Sequence, residues 1–297
     1  MKARTPTTST KQPAPARTIR VVRSLDPPGE QSAAAKTPVV FIHGLWLHAT
    51  SWQPWVEYFN DADYSALAPG WPDFPETVEK TRENPDFMAE QTIAEVVDHY
   101  ARIIRDLPAK PVAIGHSFGG LVAQELLDRE VVAAAVAIDP APIRGVLPVP
   151  FTQLRSTWPV LGHPFTRYST VSLRPDQFRY SFANALSETE AAQLYYDYTI
   201  PAPGMPVWQA ALANFNRHAE TRVDVRKDRG PLLLMAGGSD HTVPPQTTRI
   251  VHYLYHESPA VTDLKEWPDR GHSLVIDSGW SELAEFALMW LKRQGVR

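Results

Sequence analysis

The stretch Gly115-His116-Ser117-Phe118-Gly119 lies between an apolar run at residues 111–114 and a helix-forming run at residues 121–127. This context predicts a strand, a sharp turn and a helix. In such a turn the central residue is held in a strained conformation that pushes its side chain out of the sheet. Glycines flank it because a Cβ there would collide with the neighbouring strand or helix. The side chain presented here is the hydroxyl of Ser117, a candidate nucleophile.

Strand and helix patterns alternate on both sides of this turn. Apolar runs predict strands at residues 38–42, 65–68, 112–114, 133–138, 231–236 and 261–267. Helical spacing of apolar residues predicts helices at residues 91–107, 246–255 and 280–292, besides the one that follows Ser117. Strand, helix and strand in this order imply parallel pairing through right-handed crossovers, so the predicted fold class is α/β.

The alternation breaks between residues 142 and 228, a segment rich in proline and aromatic residues. It contains short helical patterns and no convincing strand. We therefore predict a helical cap at residues 142–228, inserted into a core formed by residues 21–141 and 229–297. Residues 1–20 are basic, contain no acid and are rich in Thr and Pro, so we expect a disordered tail there.

Composition excludes several classes of function. The net charge of −4 gives no reason to expect a nucleic acid or membrane partner, and no apolar run is long enough to cross a bilayer. We therefore expect a cytoplasmic protein with a small-molecule substrate; the oligomeric state cannot be read from the sequence. The absence of cysteine excludes a thiol nucleophile. No phosphate-cradling loop or dinucleotide fingerprint is present, so no cofactor is expected.

Chemistry-bearing residues follow four of the predicted strands. Ser117 follows the strand ending at residue 114, His43-Gly44-Leu45-Trp46 follows the first strand, and Asp240 and His272 follow the last two. Reactive groups gather at the carboxyl ends of parallel strands. A serine hydroxyl needs an imidazole to accept its proton, and the imidazole needs a carboxylate to fix its tautomer. The chain supplies these groups in the order Ser, Asp, His.

These motifs resemble the α/β-hydrolase superfamily, in the serine-nucleophile branch similar to non-haem haloperoxidases, esterases and lactonases. The resemblance covers residues 38–141 and 229–293. It implies an α/β-hydrolase fold, with a mostly parallel, doubly wound sheet and a helical cap inserted after the sixth strand. It also implies a role for each site residue: Ser117 as nucleophile, His272 as base, Asp240 as acid, and the backbone NH groups of Leu45 and Phe118 as oxyanion hole. Asp139 is an alternative acid, and His43 resembles a structural histidine that shapes the oxyanion loop.

A serine nucleophile predicts acyl transfer, and we expect hydrolysis of an ester, thioester or lactone through an acyl-enzyme. The expected substrate is small and apolar, with walls formed by Trp46, Phe151, Trp158, Phe182, Tyr195 and Trp208. Two alternatives remain open. One is a non-hydrolytic use of the same groups, as in perhydrolases, hydroxynitrile lyases or cofactor-free oxygenases, and the other is a binding or receptor protein on this fold. No metal site is expected, because the ligand set around His241 is incomplete.

Overall fold

Six parallel strands form the central sheet. The computed structural model describes residues 36–147 and 150–297, so the predicted tail at residues 1–20 lies outside the described residues. In chain order the strands are β1 (Pro38–Ile42), β2 (Ser65–Leu67), β3 (Val112–His116), β4 (Ala134–Ile138), β5 (Thr170–Val171), β6 (Ala202–Pro203), β7 (Leu232–Gly237) and β8 (Thr262–Trp267). The sheet order is β2-β1-β3-β4-β7-β8, and every neighbouring pair is parallel.

Ten helices connect or cover these strands in the described part of the chain. They are α1 (Gln53–Asp61), α2 (Val78–Glu83), α3 (Ile93–Arg105), α4 (Phe118–Asp128), α5 (Phe151–Leu161), α6 (Pro175–Ser181), α7 (Glu188–Tyr198), α8 (Met205–Leu212), α9 (Pro245–Leu254) and α10 (Trp280–Arg293). None of these helices is both long and apolar enough to cross a bilayer.

The strand order explains where a site can form. The chain leaves β1 for β2 on one side and later returns to place β3 on the other side of β1. Loops that leave β1 and β3 therefore diverge, and a crevice opens between them at the carboxyl ends of the strands. The predicted α/β fold with a mostly parallel, doubly wound sheet is confirmed.

The inner strands are buried because both of their faces are covered. All residues of β1, β3, β4 and β7 are buried, and these strands read as continuous apolar runs. The edge strand β8 alternates between exposed and half-buried residues until Trp267. Helix α3 begins at a capping box, in which the Thr92 side chain accepts from the NH of Glu95 and the Glu95 carboxylate accepts from the NH of Thr92.

The segment between β4 and β7 contains α5 to α8, as expected for the predicted cap. The prediction counted six strands before the cap; in the described residues it follows the fourth strand of the sheet. One difference from the prediction is the short antiparallel pair of β5 and β6, in which Thr170 faces Pro203. Two residues per strand leave no periodic pattern, so these strands could not be predicted.

Candidate active site

The turn between β3 and α4 holds Ser117 in a strained conformation. Its backbone has φ 57° and ψ −121°, a region that costs a non-glycine residue on the order of 1–3 kcal/mol. The neighbouring backbone pins this conformation, because the NH of Ser117 donates to the carbonyl of Ile138 and its carbonyl accepts from the NH of Ala141, each at 2.9 Å. Close packing requires glycine here: a Cβ on Gly119 would lie 2.0 Å from the carbonyl oxygen of Ile42.

The loop after β1 passes directly over the serine. A Cβ on Gly44 would lie 2.7 Å from Cβ of Ser117 and 3.4 Å from its Oγ, so only glycine allows this approach. Leu45 follows Gly44 and is buried, as is Phe118 at the first position of α4. The NH of a first helical residue has no acceptor within its own helix, and the helix dipole favours an anion there. Of the two residues predicted as oxyanion donors, Phe118 directly follows Ser117, and Leu45 follows the glycine that approaches it.

His43 fixes the conformation of this loop. Its Nδ1–H donates to the carbonyl of Gly44 at 2.9 Å, and its Nε2 accepts from the NH of Trp71 at 3.2 Å. The indole Nε1–H of Trp71 donates back to the carbonyl of His43 at 3.0 Å. Burial lowers the pKa of His43 to about 3, so the ring is neutral and can make both bonds. This histidine acts on the loop through hydrogen bonds, as the sequence indicated.

His272 and Asp240 form a buried pair beyond β8 and β7. The Nδ1–H of His272 donates to Oδ2 of Asp240 at 2.6 Å, and His272 is fully buried. The other carboxylate oxygen of Asp240 accepts from the NH groups of Thr242 at 2.6 Å and Val243 at 2.9 Å. Within the described residues, Nε2 of His272 has no hydrogen-bond partner. The imidazole is thus held in the tautomer whose Nε2 lone pair can accept a proton.

Asp139, the alternative acid, lies beside this pair. Its Oδ2 is 3.8 Å from Nδ1 of His272, too far for a hydrogen bond, and its Oδ1 accepts from the NH of Gly237 at 2.7 Å. Burial and the neighbouring Asp240 raise the pKa of the Asp139 carboxyl well above its ordinary value. The geometry therefore places Asp240, rather than Asp139, on the imidazole.

His116, which precedes Ser117 in the turn, contacts His272. Its ring centroid is 4.5 Å from that of His272, and its Nε2–H donates to the His272 carbonyl at 2.9 Å. Possible ligand atoms of His116, Asp139 and His272 lie within 4.8 Å of one another, and this is the one group of metal-binding size in the described residues. A cation bound through Nδ1 of His272 would have to displace the bond to Asp240. The pair with Asp240 and a metal site are therefore alternatives at this ring.

The sequence matches the model of a known family. A model of the alpha/beta hydrolase family matches residues 39–286. The chain belongs to that family. The resemblance drawn from the elbow and the strand ends is confirmed.

Solved structures of esterases and lipases share the fold of this hydrolase. A monoacylglycerol lipase from Paleococcus ferrophilus is 21% identical, with a TM-score of 0.58 over 88% of this chain and 96% of that one. A thermophilic esterase from Thermogutta terrifontis is 19% identical, with a TM-score of 0.59 over 88% and 91%. Polyneuridine aldehyde esterase is 15% identical, with a TM-score of 0.59 over 86% and 99%. No curated protein matches the sequence. At these identities the likeness concerns the fold.

The aromatic residues predicted as pocket walls fall into three groups. Phe182 is buried with its ring centroid 4.8 Å from His272, and Trp46 packs edge-on against Phe182 at 6.3 Å. Tyr195 and Trp208 are half-buried inside the cap, where their polar atoms are held by the Leu173 carbonyl and the Thr166 hydroxyl. A third group points away from the site, namely Phe151 and Trp158, which are 76% and 58% exposed.

The placement of Phe151 and Trp158 differs from the prediction for a physical reason. Both lie on α5, and an aromatic side chain of a helix turns toward the core or toward solvent according to its angular position. Composition marks a segment as aromatic without assigning its faces. Exposed on α5, these two side chains do not enclose the buried serine.

Arg82 is a site-supporting residue that the sequence did not single out. Its guanidinium donates to the carbonyls of Thr199 and Tyr196, both at 2.8 Å, and of Tyr195 at 3.2 Å. These carbonyls lie at the C-terminal end of α7, where intrahelical donors run out. One side chain from α2 thus fastens the cap to the core. Nothing in the local sequence of α2 marks this long-range contact.

Proposed function

We propose that this protein is a serine hydrolase that cleaves carboxylic ester, thioester or lactone bonds of small apolar substrates. One observation carries the proposal: a fully buried imidazole donates from Nδ1 to a carboxylate at 2.6 Å and keeps Nε2 without a partner in the described residues. Its ring centroid lies 4.5 Å from that of His116, the residue that precedes Ser117 in the strained turn. This combination of a poised base and a presented hydroxyl serves nucleophilic catalysis.

In the first half-reaction, Nε2 of His272 accepts the hydroxyl proton while Oγ of Ser117 bonds to the substrate carbonyl carbon. The carbonyl π electrons move to oxygen, and the NH groups of Leu45 and Phe118 stabilise that oxyanion. Collapse of the tetrahedral intermediate expels the alcohol, thiol or ring oxygen, which takes the proton from His272. Water then attacks the acyl-enzyme with the same base, and the acid product leaves with Ser117 restored.

The surroundings of the imidazole support a small apolar substrate. Phe182 and Trp46 contribute aromatic surface next to His272, and the Phe118 side chain begins α4 at the serine. Ser117 is only 5% exposed and His272 is fully buried. A substrate therefore has to be enclosed, which favours a compact ligand over a long polymer. The solved relatives that carry esterase and lipase in their titles lead us to expect an ester bond.

The test combines labelling with turnover. We expect a fluorophosphonate probe to label the protein at Ser117 and p-nitrophenyl butyrate to be hydrolysed. Ser117→Ala should lose both, and His272→Ala should lower turnover by about 10⁴-fold or more. Ser65→Ala, at an exposed serine on the edge strand β2, is the matched control and should behave as the parent.

Three results would contradict the proposal. Turnover that survives Ser117→Ala would remove the nucleophile. Probe labelling without turnover of any ester, thioester or lactone would point to a non-hydrolytic use of the triad, which peracid formation and aldehyde release would then detect. A parent protein that is neither labelled nor active would favour the binding role.

A further inference from the structure

Helix α5 of the cap is amphipathic, but its apolar face is exposed to solvent and its more polar face is buried. Three large apolar side chains point to solvent: Phe151 (76% exposed), Leu154 (40%) and Trp158 (58%). Their spacing of three and four residues places them on one face. The opposite face is buried and carries Gln153, Ser156 and Val160. Ser156 donates its hydroxyl to the His241 carbonyl at 3.1 Å, so the polar side of this helix is turned into the protein.

The exposed apolar surface continues onto the segments that pack beside α5. Thr166 links them: its hydroxyl donates to the carbonyl of Val160 at 2.7 Å and accepts from the indole NH of Trp208 in α8 at 3.2 Å. The outer cap surface, as we call it, consists of Phe151, Leu154, Trp158, Phe165, Leu212 and Phe215, the last three being 86%, 44% and 90% exposed. A concentration of large apolar side chains of this kind marks an interaction site.

The charge of these segments differs from that of the whole chain. Residues 140–175 and 198–219 contain five arginines and no aspartate or glutamate, although the chain as a whole has a net charge of −4. Arg174 pairs with Asp176, just after the first range, which leaves four arginines in excess. Arg167 and Arg217 are exposed, one beside Phe165 and the other beside Phe215 in the chain. Exposed aromatic rings among arginines suit a partner that has a negatively charged surface and an apolar layer directly beneath it.

We propose that the outer cap surface docks this protein on an anionic lipid bilayer. The rings enter the boundary between headgroups and acyl chains, and the arginines contact lipid phosphates. The expectation that no membrane is involved rested on the charge of the whole chain, which averages over this local excess of arginine, and on the absence of a membrane-spanning apolar run, which surface docking does not need. Docking is independent of catalysis at Ser117, and inactive variants should dock as well as the active protein.

Charge also decides against two other occupants of the same surface. A second copy of the chain would bring the exposed Arg167 and Arg217 of one surface against those of the other, which is unfavourable. The N-terminal segment is equally unsuited, because residues 1–25 carry six Lys or Arg and no acid. Both occupants have the same sign of charge as the surface they would cover, whereas an anionic lipid has the opposite sign.

Vesicle flotation of the full chain tests the proposal. Phosphatidylcholine vesicles with and without phosphatidylglycerol are the probes, and we expect binding to those that contain phosphatidylglycerol. The double variant Phe151→Ser/Trp158→Ser should weaken binding by about tenfold or more, since each ring loses its burial in the lipid. Arg167→Glu/Arg217→Glu should weaken it by a similar factor. All four residues are exposed, so the fold should be retained.

Matched controls separate the cap from general surface effects. Tyr253→Ser removes an aromatic that is 66% exposed on α9, and Arg105→Glu reverses an exposed charge on α3; both should bind as the parent does. The basic N-terminal residues are intact in every variant, so binding that survives the cap substitutions would overturn the proposal. So would a failure of the parent to bind phosphatidylglycerol vesicles. A dimer that Phe151→Ser/Trp158→Ser dissociates, in a parent without vesicle binding, would assign the surface to a second copy.

Discussion

Substitution of Asp240 by asparagine replaces one oxygen by an amide NH₂ and tests which carboxylate serves the imidazole. In the parent, Oδ1 of Asp240 accepts from the NH groups of Thr242 and Val243, and Oδ2 accepts from Nδ1–H of His272. The asparagine oxygen will remain with the two backbone donors, because the NH₂ group cannot accept from them. Its NH₂ therefore points at His272.

The magnitude follows from that orientation. Two donors cannot face each other at 2.6 Å, so Nδ1 of His272 gives up its proton and the ring changes to the tautomer protonated on Nε2. A ring protonated there cannot accept the proton of Ser117. The same exchange in a serine protease triad lowers kcat about 10⁴-fold, which corresponds to about 5.4 kcal/mol of transition-state stabilisation. We expect a loss of about 10³- to 10⁴-fold here.

Asp139→Asn is the matched comparison. The pKa of Asp139 is raised by burial and by Asp240, and its Oδ2 has no hydrogen-bond partner in the described residues, so an amide NH₂ at that position would break no bond. Its Oδ1 would go on accepting from the NH of Gly237. We therefore expect less than about a tenfold change in kcat.

Steady-state hydrolysis of p-nitrophenyl butyrate measures both variants, and thermal unfolding confirms that each is folded. The two substitutions remove the same atom type from adjacent strand ends, so a difference in rate reflects position alone. A larger loss in Asp139→Asn than in Asp240→Asn would refute the reasoning and move the acid to β4. Equal, small losses would show that neither carboxylate orients the base.

Three further predictions concern the support of the site. Gly119→Ala should destabilise the fold by about 3 kcal/mol or more in urea unfolding, since the added Cβ would lie 2.0 Å from the Ile42 carbonyl; an unchanged midpoint would contradict this. The pKa of His43 is lowered to about 3, so the unfolded chain alone takes up this proton below pH 6.5. The free energy of unfolding should therefore fall by about 2 kcal/mol between pH 6.5 and about pH 4.5, and His43→Gln should reduce that dependence. Arg82→Ala should speed hydrogen exchange in α7 about tenfold or more, because three carbonyls lose their bonds from the guanidinium and only that of Tyr195 keeps another donor, the NH of Thr199; unchanged exchange would show that the cap is held elsewhere.

Most of the core could be predicted because its sequence pattern and its burial agree. Strands buried on both faces read as apolar runs, and helices such as α3 and α10 show regular apolar spacing, so their limits were predicted within two residues. Helix α5 was not predicted. It contains Pro159, and its large apolar residues face solvent, so its pattern does not mark a buried stripe. The reason it escaped prediction is also what makes its outer face unusual.

The site could be predicted to the level of strand ends but no further. The rule that reactive groups follow parallel strands brings Ser117, Asp240 and His272 to one edge. It also brings Asp139 there, because β4 and β7 are neighbours in the sheet. Whether an acid lies 2.6 Å or 3.8 Å from the imidazole depends on turn geometry after the strand, which no residue pattern encodes.

The two carboxyls show how the turn after β7 selects the acid. Both are buried next to one imidazole, and burial together with the neighbouring Asp240 raises the pKa of Asp139. The two carboxyls differ in the number of donors that they meet. Asp240 accepts from two backbone NH groups and from His272, whereas Asp139 accepts from one NH group. The backbone of residues 242 and 243 therefore holds Asp240 in the position that meets the imidazole. Asp139, at the end of β4, could orient the base only if the turn after β7 no longer donated hydrogen bonds to Asp240.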